Sequence, residues 1–130
     1  KEIRVTDFKT GSVRKKSEIE KMDEDPTNGA RSRMSSYLRQ LAMYSYLIKQ
    51  SPKWKMEVSE SRLEFLEAKN EKEIFYDRVI TPKEIDLLVG DIKDYDKLVK
   101  DGAWVDRPCN YNSYGKNTVC EYCKMAEIYK

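Results

Sequence analysis

Apolar and polar residues follow two different rhythms along this chain. From Ile3 to Lys9 the run Ile-Arg-Val-Thr-Asp-Phe-Lys is rich in β-branched and apolar residues and predicts a strand, which Thr10-Gly11 ends. Strand side chains alternate between faces, so Ile3, Val5, Asp7 and Lys9 share one side. The first two belong against a core, and the last two emerge where the strand leaves it. Between Ser32 and Gln50 the period lengthens to that of a helix. Met34, Tyr37, Leu38, Leu41, Tyr44 and Ile48 make one apolar stripe, and Ser51-Pro52 closes it.

The remaining segments are read the same way. Ser12–Asp25 is a charged excursion with a short helix around Ser17–Met22, and Asp25-Pro26-Thr27-Asn28-Gly29 is a loop by its turn residues. Trp54–Ser59 is extended. Arg62–Ala68 and Glu73–Ile80 read as two strands joined by a polar hairpin loop, Lys69–Lys72. Thr81, Pro82 and Glu84 form a strong helix start: N-cap, first helical residue and capping-box acid. Ile85, Leu88, Val89, Ile92, Tyr95 and Val99 give that helix its buried stripe, and Gly102 stops it. The predicted fold is α/β or α+β, a mixed sheet flanked by helices. Residues 1–102 form the core domain, and 103–130 form a cysteine-bearing tail packed on it.

Composition narrows the chemistry. The chain has 130 residues, enough for a single core, with 37% charged residues and a net charge of only +2. Mean hydropathy is −0.82 and no long apolar run appears, so a soluble chain with no membrane span is expected. Any nucleic-acid surface must come from local clustering of charge. The chain has no histidine, which excludes Ser-His-Asp and Cys-His nucleophilic sites and histidine-ligated zinc. Catalysis would fall to carboxylates, lysine, tyrosine or a bound metal. Three cysteines, an odd number, argue against a disulfide framework and fit a reducing, cytoplasmic setting. A strand that begins immediately after Lys1 reads as part of something longer.

Asp7 and Lys9 are the first candidate pair. An acid able to hold a divalent cation beside an amine able to steady a water or an anion is a phosphodiesterase-like arrangement. In so charged a chain the bland alternative is a solvated surface pair. Gln40 lies within or beside the apolar stripe, one turn from Tyr44, where a buried amide needs partners. Arg14-Lys15-Lys16 is either a solvated helix start or a phosphate contact next to the site. Cys109, Cys120 and Cys123 are spaced C-x10-C-x2-C, so the Cys120–Cys123 turn can hold two thiolates on one metal such as zinc. A fourth ligand would come from outside the chain or from a carboxylate. Free thiols are the alternative.

Two motifs together carry a family resemblance. Val5-Thr6-Asp7-Phe8-Lys9-Thr10-Gly11 resembles the "vvDyKTG" strand of RecB-like nucleases in the PD-(D/E)xK superfamily. Tyr37-Leu38-Arg39-Gln40-Leu41-Ala42-Met43-Tyr44 resembles their "Q-x-x-x-Y" helix, in the same order along the chain. The Cys120-x2-Cys123 region is similar to cysteine-bearing tails that hold an iron–sulfur cluster in several members.

The resemblance implies the C-terminal part of a restriction-endonuclease-like core lacking its N-terminal strands, in a helicase-associated or stand-alone DNA exonuclease of repair or recombination. Asp7 and the Phe8 backbone carbonyl would ligate Mg2+ or Mn2+, and Lys9 would orient water and stabilise developing charge. Gln40 and Tyr44 would position the phosphate or DNA strand. The family's other metal-ligating acid lies on a preceding strand, so the chain is expected to hold half an active site. Its partners would be DNA and a helicase domain or other N-terminal segment. The Ile3–Phe8 strand would pair with another chain, as in a homodimer, or stand as an exposed edge. A nuclease-like module that binds DNA or a protein without cutting is the alternative.

Overall fold

The computed structural model describes residues 2–25, 28–54 and 56–102, together with Met125 and Ile128. The elements in order are β1 (Glu2–Lys9), α1 (Lys16–Ile19), β2 (Met22–Asp25), β3 (Asn28–Met34), α2 (Ser36–Gln50), β4 (Glu57–Phe65), β5 (Phe75–Arg78) and α3 (Pro82–Lys100). The chain divides into two compact units, Lys1–Lys93 and Asp94–Lys130. The first contains the sheets, α1, α2 and the beginning of α3.

A three-stranded mixed sheet, in the order β1-β4-β5, organises this first unit. β1 and β4 are parallel, with Asp7 opposite Leu63 and Lys9 opposite Phe65. A parallel pair needs a long crossover, which here contains α1, the β2–β3 hairpin and α2. The register shifts between Ile3 and Arg4, where β4 takes up Ser59 as an extra residue. β5 returns antiparallel along β4, pairing Leu63 with Tyr76. Among the described residues the other edge of β1 is unpaired. Ile3 and Val5 are accordingly half-buried rather than fully enclosed.

α2 lies between two apolar clusters. One side of it contributes Leu41, with Tyr37 and Tyr44 at the margin, to a cluster with Ile19, Leu63, Phe65 and Tyr76. Its other side contributes Leu38 and Ala42 to a cluster with Met34 and Leu88 of α3. The start of α2 is pinned by Ser35, whose hydroxyl accepts from the Leu38 amide at 3.1 Å and donates to the Ile19 carbonyl at 2.5 Å. α3 starts as expected. The Glu84 amide donates to the Thr81 hydroxyl, and the Glu84 carboxylate accepts from the Thr81 amide at 2.7 Å.

Several sequence expectations need correction. Met34 is buried but ends β3, so the helix begins at Ser36 rather than Ser32. The short helix sits at Lys16–Ile19 instead of Ser17–Met22. Asp25, Asn28 and Gly29, read as loop, belong to the β2–β3 hairpin, in which Asp23 pairs with Arg33. Trp54–Ser59 and Arg62–Ala68 are replaced by one strand, Glu57–Phe65, with Trp54 in the preceding turn. The polar connection beyond it ends in a 3-10 turn, Glu71–Glu73, whose Lys72 amide donates to the Asn70 side chain, so β5 starts only at Phe75. On α3 the stripe is buried at its start, but Ile92, Tyr95 and Val99 are exposed.

Candidate active site

Strand alternation places Asp7 and Lys9 on the same sheet face as their register partners Leu63 and Phe65, the face that α2 covers. Both side chains are largely enclosed, retaining 14% and 21% of their exposure. The Lys9 ammonium donates to the Gln40 side-chain oxygen at 2.5 Å. The Gln40 amide nitrogen donates to the Tyr44 hydroxyl at 2.9 Å. One helical turn separates those two side chains, so a single face of α2 presents a relay running from lysine to amide to phenol. The Lys9 ammonium also stands 5.5 Å from the centroid of the Tyr37 ring, within cation–π range. Four of the sequence-predicted residues are thus brought together: Asp7, Lys9, Gln40 and Tyr44.

Asp7 and Lys9 meet at 2.8 Å between Oδ2 and Nζ. Their approach lies off the hydrogen-bonding directions, so the buried Oδ2 has ionic contact but no hydrogen-bond partner. An enclosed carboxylate oxygen with unclaimed lone pairs is unusual and calls for a reason. The neighbouring backbone contributes a second acceptor. The Lys9 carbonyl accepts from the Leu66 amide, on the β4 side. Successive carbonyls in a strand point to opposite sides, so the Phe8 carbonyl is directed to the unpaired edge. A cavity of about 390 Å³ lies there, lined by Val5, Thr6, Asp7, Phe8 and Tyr44.

Arg14, Lys15 and Lys16 do not join this group. They line a second cleft with Phe65, the neighbour of Lys9, as part of its wall. Arg14 lies 3.8 Å from Glu18 on α1, and Lys16 lies 3.8 Å from Glu20, the residue that caps that helix. Cys109, Cys120 and Cys123 lie outside the described residues. The sequence reading placed Tyr37 in the apolar stripe and missed its place beneath the lysine. Its position three residues before Gln40, on the same helix face, was the available signal.

A charged network braces the sheet beside this site. Arg78 donates to Glu20 at 2.9 Å and to Glu84 at 2.5 Å, and the Tyr76 hydroxyl donates to Glu20 at 2.8 Å. Burial, aided by the bond to Glu20, pushes the Tyr76 hydroxyl up to about 12. Burial works against the ionised form of Glu84. The Thr81 amide, the Arg78 guanidinium and the Thr81 hydroxyl outweigh it and hold the carboxyl below its ordinary range. These groups join α1, β5 and α3, and their job is structural.

A mixed sheet whose parallel pair presents an Asp-x-Lys triplet from its edge strand to a Gln/Tyr helix defines a class, the α/β proteins of nuclease architecture. The family model of the PD-(D/E)XK nuclease superfamily matches residues 1–128, and the chain belongs to that superfamily. No curated protein and no solved structure matches it.

Nucleases of this superfamily use divalent metals such as Mg2+ or Mn2+. The unsatisfied Asp7 Oδ2 and the edge-facing Phe8 carbonyl fit two oxygen contacts to such an ion. Among the described residues no cluster of three His, Cys, Asp or Glu side chains could hold one. The fit is therefore to part of a coordination shell.

Proposed function

We propose that this chain carries the lysine half of the site at which a metal-dependent DNA nuclease hydrolyses phosphodiester bonds. The observation that carries this reading is the placement of Lys9, held at once by Asp7, Gln40 and Tyr37 in a largely enclosed position. Such a lysine is oriented before substrate arrives. Its ammonium can hold the attacking water and meet the negative charge that grows on the phosphoryl oxygens. Asp7 Oδ2 and the Phe8 carbonyl would hold Mg2+ or Mn2+, which when bound supplies Lewis-acid polarisation of the phosphate and a more acidic water. Gln40 fixes the lysine, and Tyr44, accepting from Gln40, keeps its own hydroxyl proton free to donate toward a phosphate oxygen.

The family resemblance refines the reading to a RecB-like exonuclease of repair or recombination, acting with a helicase domain. The test is Mg2+-dependent degradation of linear DNA by the full-length protein, with Lys9→Ala alongside. Metal-dependent cleavage that falls by about 10²-fold or more in the variant supports the assignment. Undiminished cleavage ends it. A nuclease-like module that only holds DNA predicts binding without hydrolysis, a reading favoured by the lack of a three-ligand metal cluster among the described residues.

A further inference from the structure

The contact between Lys9 and Asp7 is incomplete in a way that the two residues alone do not explain. Their charged atoms stand 2.8 Å apart, yet the buried Asp7 Oδ2 accepts no hydrogen bond. A donor at that distance ordinarily turns until one N–H points along a lone pair, because a buried acceptor left unbonded is costly. Something holds the ammonium back.

Two of the three contacts to the ammonium come from α2, whereas Asp7 lies on β1 with the lysine itself. Gln40 Oε1 receives one N–H at 2.5 Å. Tyr37, one turn earlier on the same helix face, has the ammonium over its ring, 5.5 Å from the centroid. An aromatic face carries partial negative charge and attracts an ammonium without taking up a lone pair or a carboxylate.

The ring is itself held in place. Its centroid lies 6.5 Å from that of Phe65 at an interplanar angle of 59°, a tilted pair of the kind aromatic rings favour. Phe65 is only 2% exposed and is the register partner of Lys9. The ring is thus backed by the core residue that neighbours the lysine in the sheet. Among the described residues the Tyr37 hydroxyl has no hydrogen-bond partner, so the ring face is what this residue offers the site.

An ammonium has three N–H donors. With one on Gln40 and one turned to the ring, a third is left for a water or a phosphate oxygen. Asp7 Oδ2 meanwhile keeps its lone pairs for a metal ion. Were Lys9 to close on Asp7, each group would satisfy the other and neither would be open to substrate.

We propose that Tyr37 is a positioning residue whose ring face, together with Gln40, draws the Lys9 ammonium off Asp7 and keeps both groups open. This rests on the nuclease reading for the reaction it serves.

The experiment uses the full-length protein, with Mn2+ binding read by electron paramagnetic resonance in the absence of DNA and cleavage of linear DNA read by steady-state kinetics. Tyr37→Leu should weaken Mn2+ binding several-fold and lower kcat about tenfold with KM little changed. In a Lys9→Ala background the same substitution should leave Mn2+ affinity unaltered, because no ammonium remains to close on Oδ2. Tyr37→Phe keeps the ring and should recover most of both losses. Progressively fluorinated phenylalanines at position 37 weaken the negative face at nearly constant shape, so kcat should fall stepwise along that series. The series also covers the case in which Tyr37→Leu fails to fold.

A level kcat along the fluorinated series overturns the proposal. Equal weakening of Mn2+ binding by Tyr37→Leu with and without Lys9 also overturns it, because the ring would then be packing alone. A full loss of rate in Tyr37→Phe does the same, by making the hydroxyl the working group. Cleavage that depends on Lys9 but not on Tyr37 removes this inference and leaves the nuclease reading. A Lys9-dependent effect of Tyr37 on Mn2+ binding, without cleavage by the parent, removes the nuclease reading and leaves the positioning role standing.

Discussion

The Lys9 ammonium and the Gln40 side-chain oxygen meet at 2.5 Å although 31 residues separate them in sequence. That bond ties the end of β1 to the middle of α2. It also orients the Gln40 amide, whose nitrogen is left to face Tyr44. Replacing Gln40 by Leu removes the acceptor and frees the lysine to swing. DNA cleavage is expected to fall about 10- to 100-fold, as supporting residues around reactive groups do, with DNA affinity unchanged. Gln40→Glu, which keeps an acceptor, should recover part of the rate. Steady-state kinetics that show a KM effect alone would place Gln40 in substrate binding instead.

Asp7 should show the opposite balance between activity and stability. Its Oδ2 has no hydrogen bond to lose. Asp7→Asn is expected to abolish metal-dependent cleavage while leaving Tm within about 3 °C of the parent, a shift of under about 1 kcal/mol. A cooperative thermal melt read by circular dichroism checks the second half. A large drop in Tm would make the residue a structural anchor of β1.

Glu84 is buried, with only 3% of its side chain exposed, and answers to Arg78 and Thr81. Because its carboxyl titrates below the ordinary 4.5, its contribution is complete above that pH and is lost as pH falls through the lowered value. Glu84→Gln should destabilise the first unit by about 3 kcal/mol at neutral pH, the cost of breaking an enclosed pair. Urea unfolding at a series of pH values should show the gap between parent and variant closing below pH 4.5.

Tyr76 moves in the alkaline direction. Its hydroxyl titrates at about 12 rather than 10.0, so the neutral form is favoured by folding. That contribution is full below pH 10.0 and is lost as pH rises toward 12. The difference in tyrosinate absorbance between the parent and Tyr76→Phe should stay flat through pH 10 and rise only beyond it. A difference spectrum appearing at the ordinary value would mean that the ring is solvated.

Leu63 sits fully buried directly opposite Asp7 in the sheet. Leu63→Ala should cost about 3 kcal/mol, within the usual range for an enclosed leucine. The loss appears as a lower urea midpoint. Activity per folded molecule should change less than with Gln40→Leu.

Some of this architecture was readable before any coordinates existed. The alternation around Val5 and Asp7 and the helical period of Leu38, Leu41 and Tyr44 placed the catalytic candidates on a strand and a helix. The capping box at Thr81 and Glu84 placed the start of α3 to the residue. The β2–β3 hairpin was not legible, because Met22-Asp23-Glu24-Asp25 has no apolar alternation. Its signal was the complement of charges, with Asp23 and Arg33 paired across the strands, and such pairing is visible only once the turn is known. Met34 misled for a different reason. It falls in phase with the α2 stripe and is buried, yet Ser35 caps the helix after it. The cleft beside α1 was hidden because its walls come from three separate stretches of sequence.

The extra residue that β4 accommodates at Ser59 divides the strand into two zones of unequal tolerance to length change. Before it, the pairing irregularity can absorb an added or missing residue. After it, one residue more or less between Ser61 and Phe65 would turn Leu63 and Phe65 outward and leave the residues beneath Asp7 and Lys9 polar. Homologous chains are therefore expected to differ in loop length upstream of Val58 and to keep the spacing from Glu60 to Phe65 unchanged.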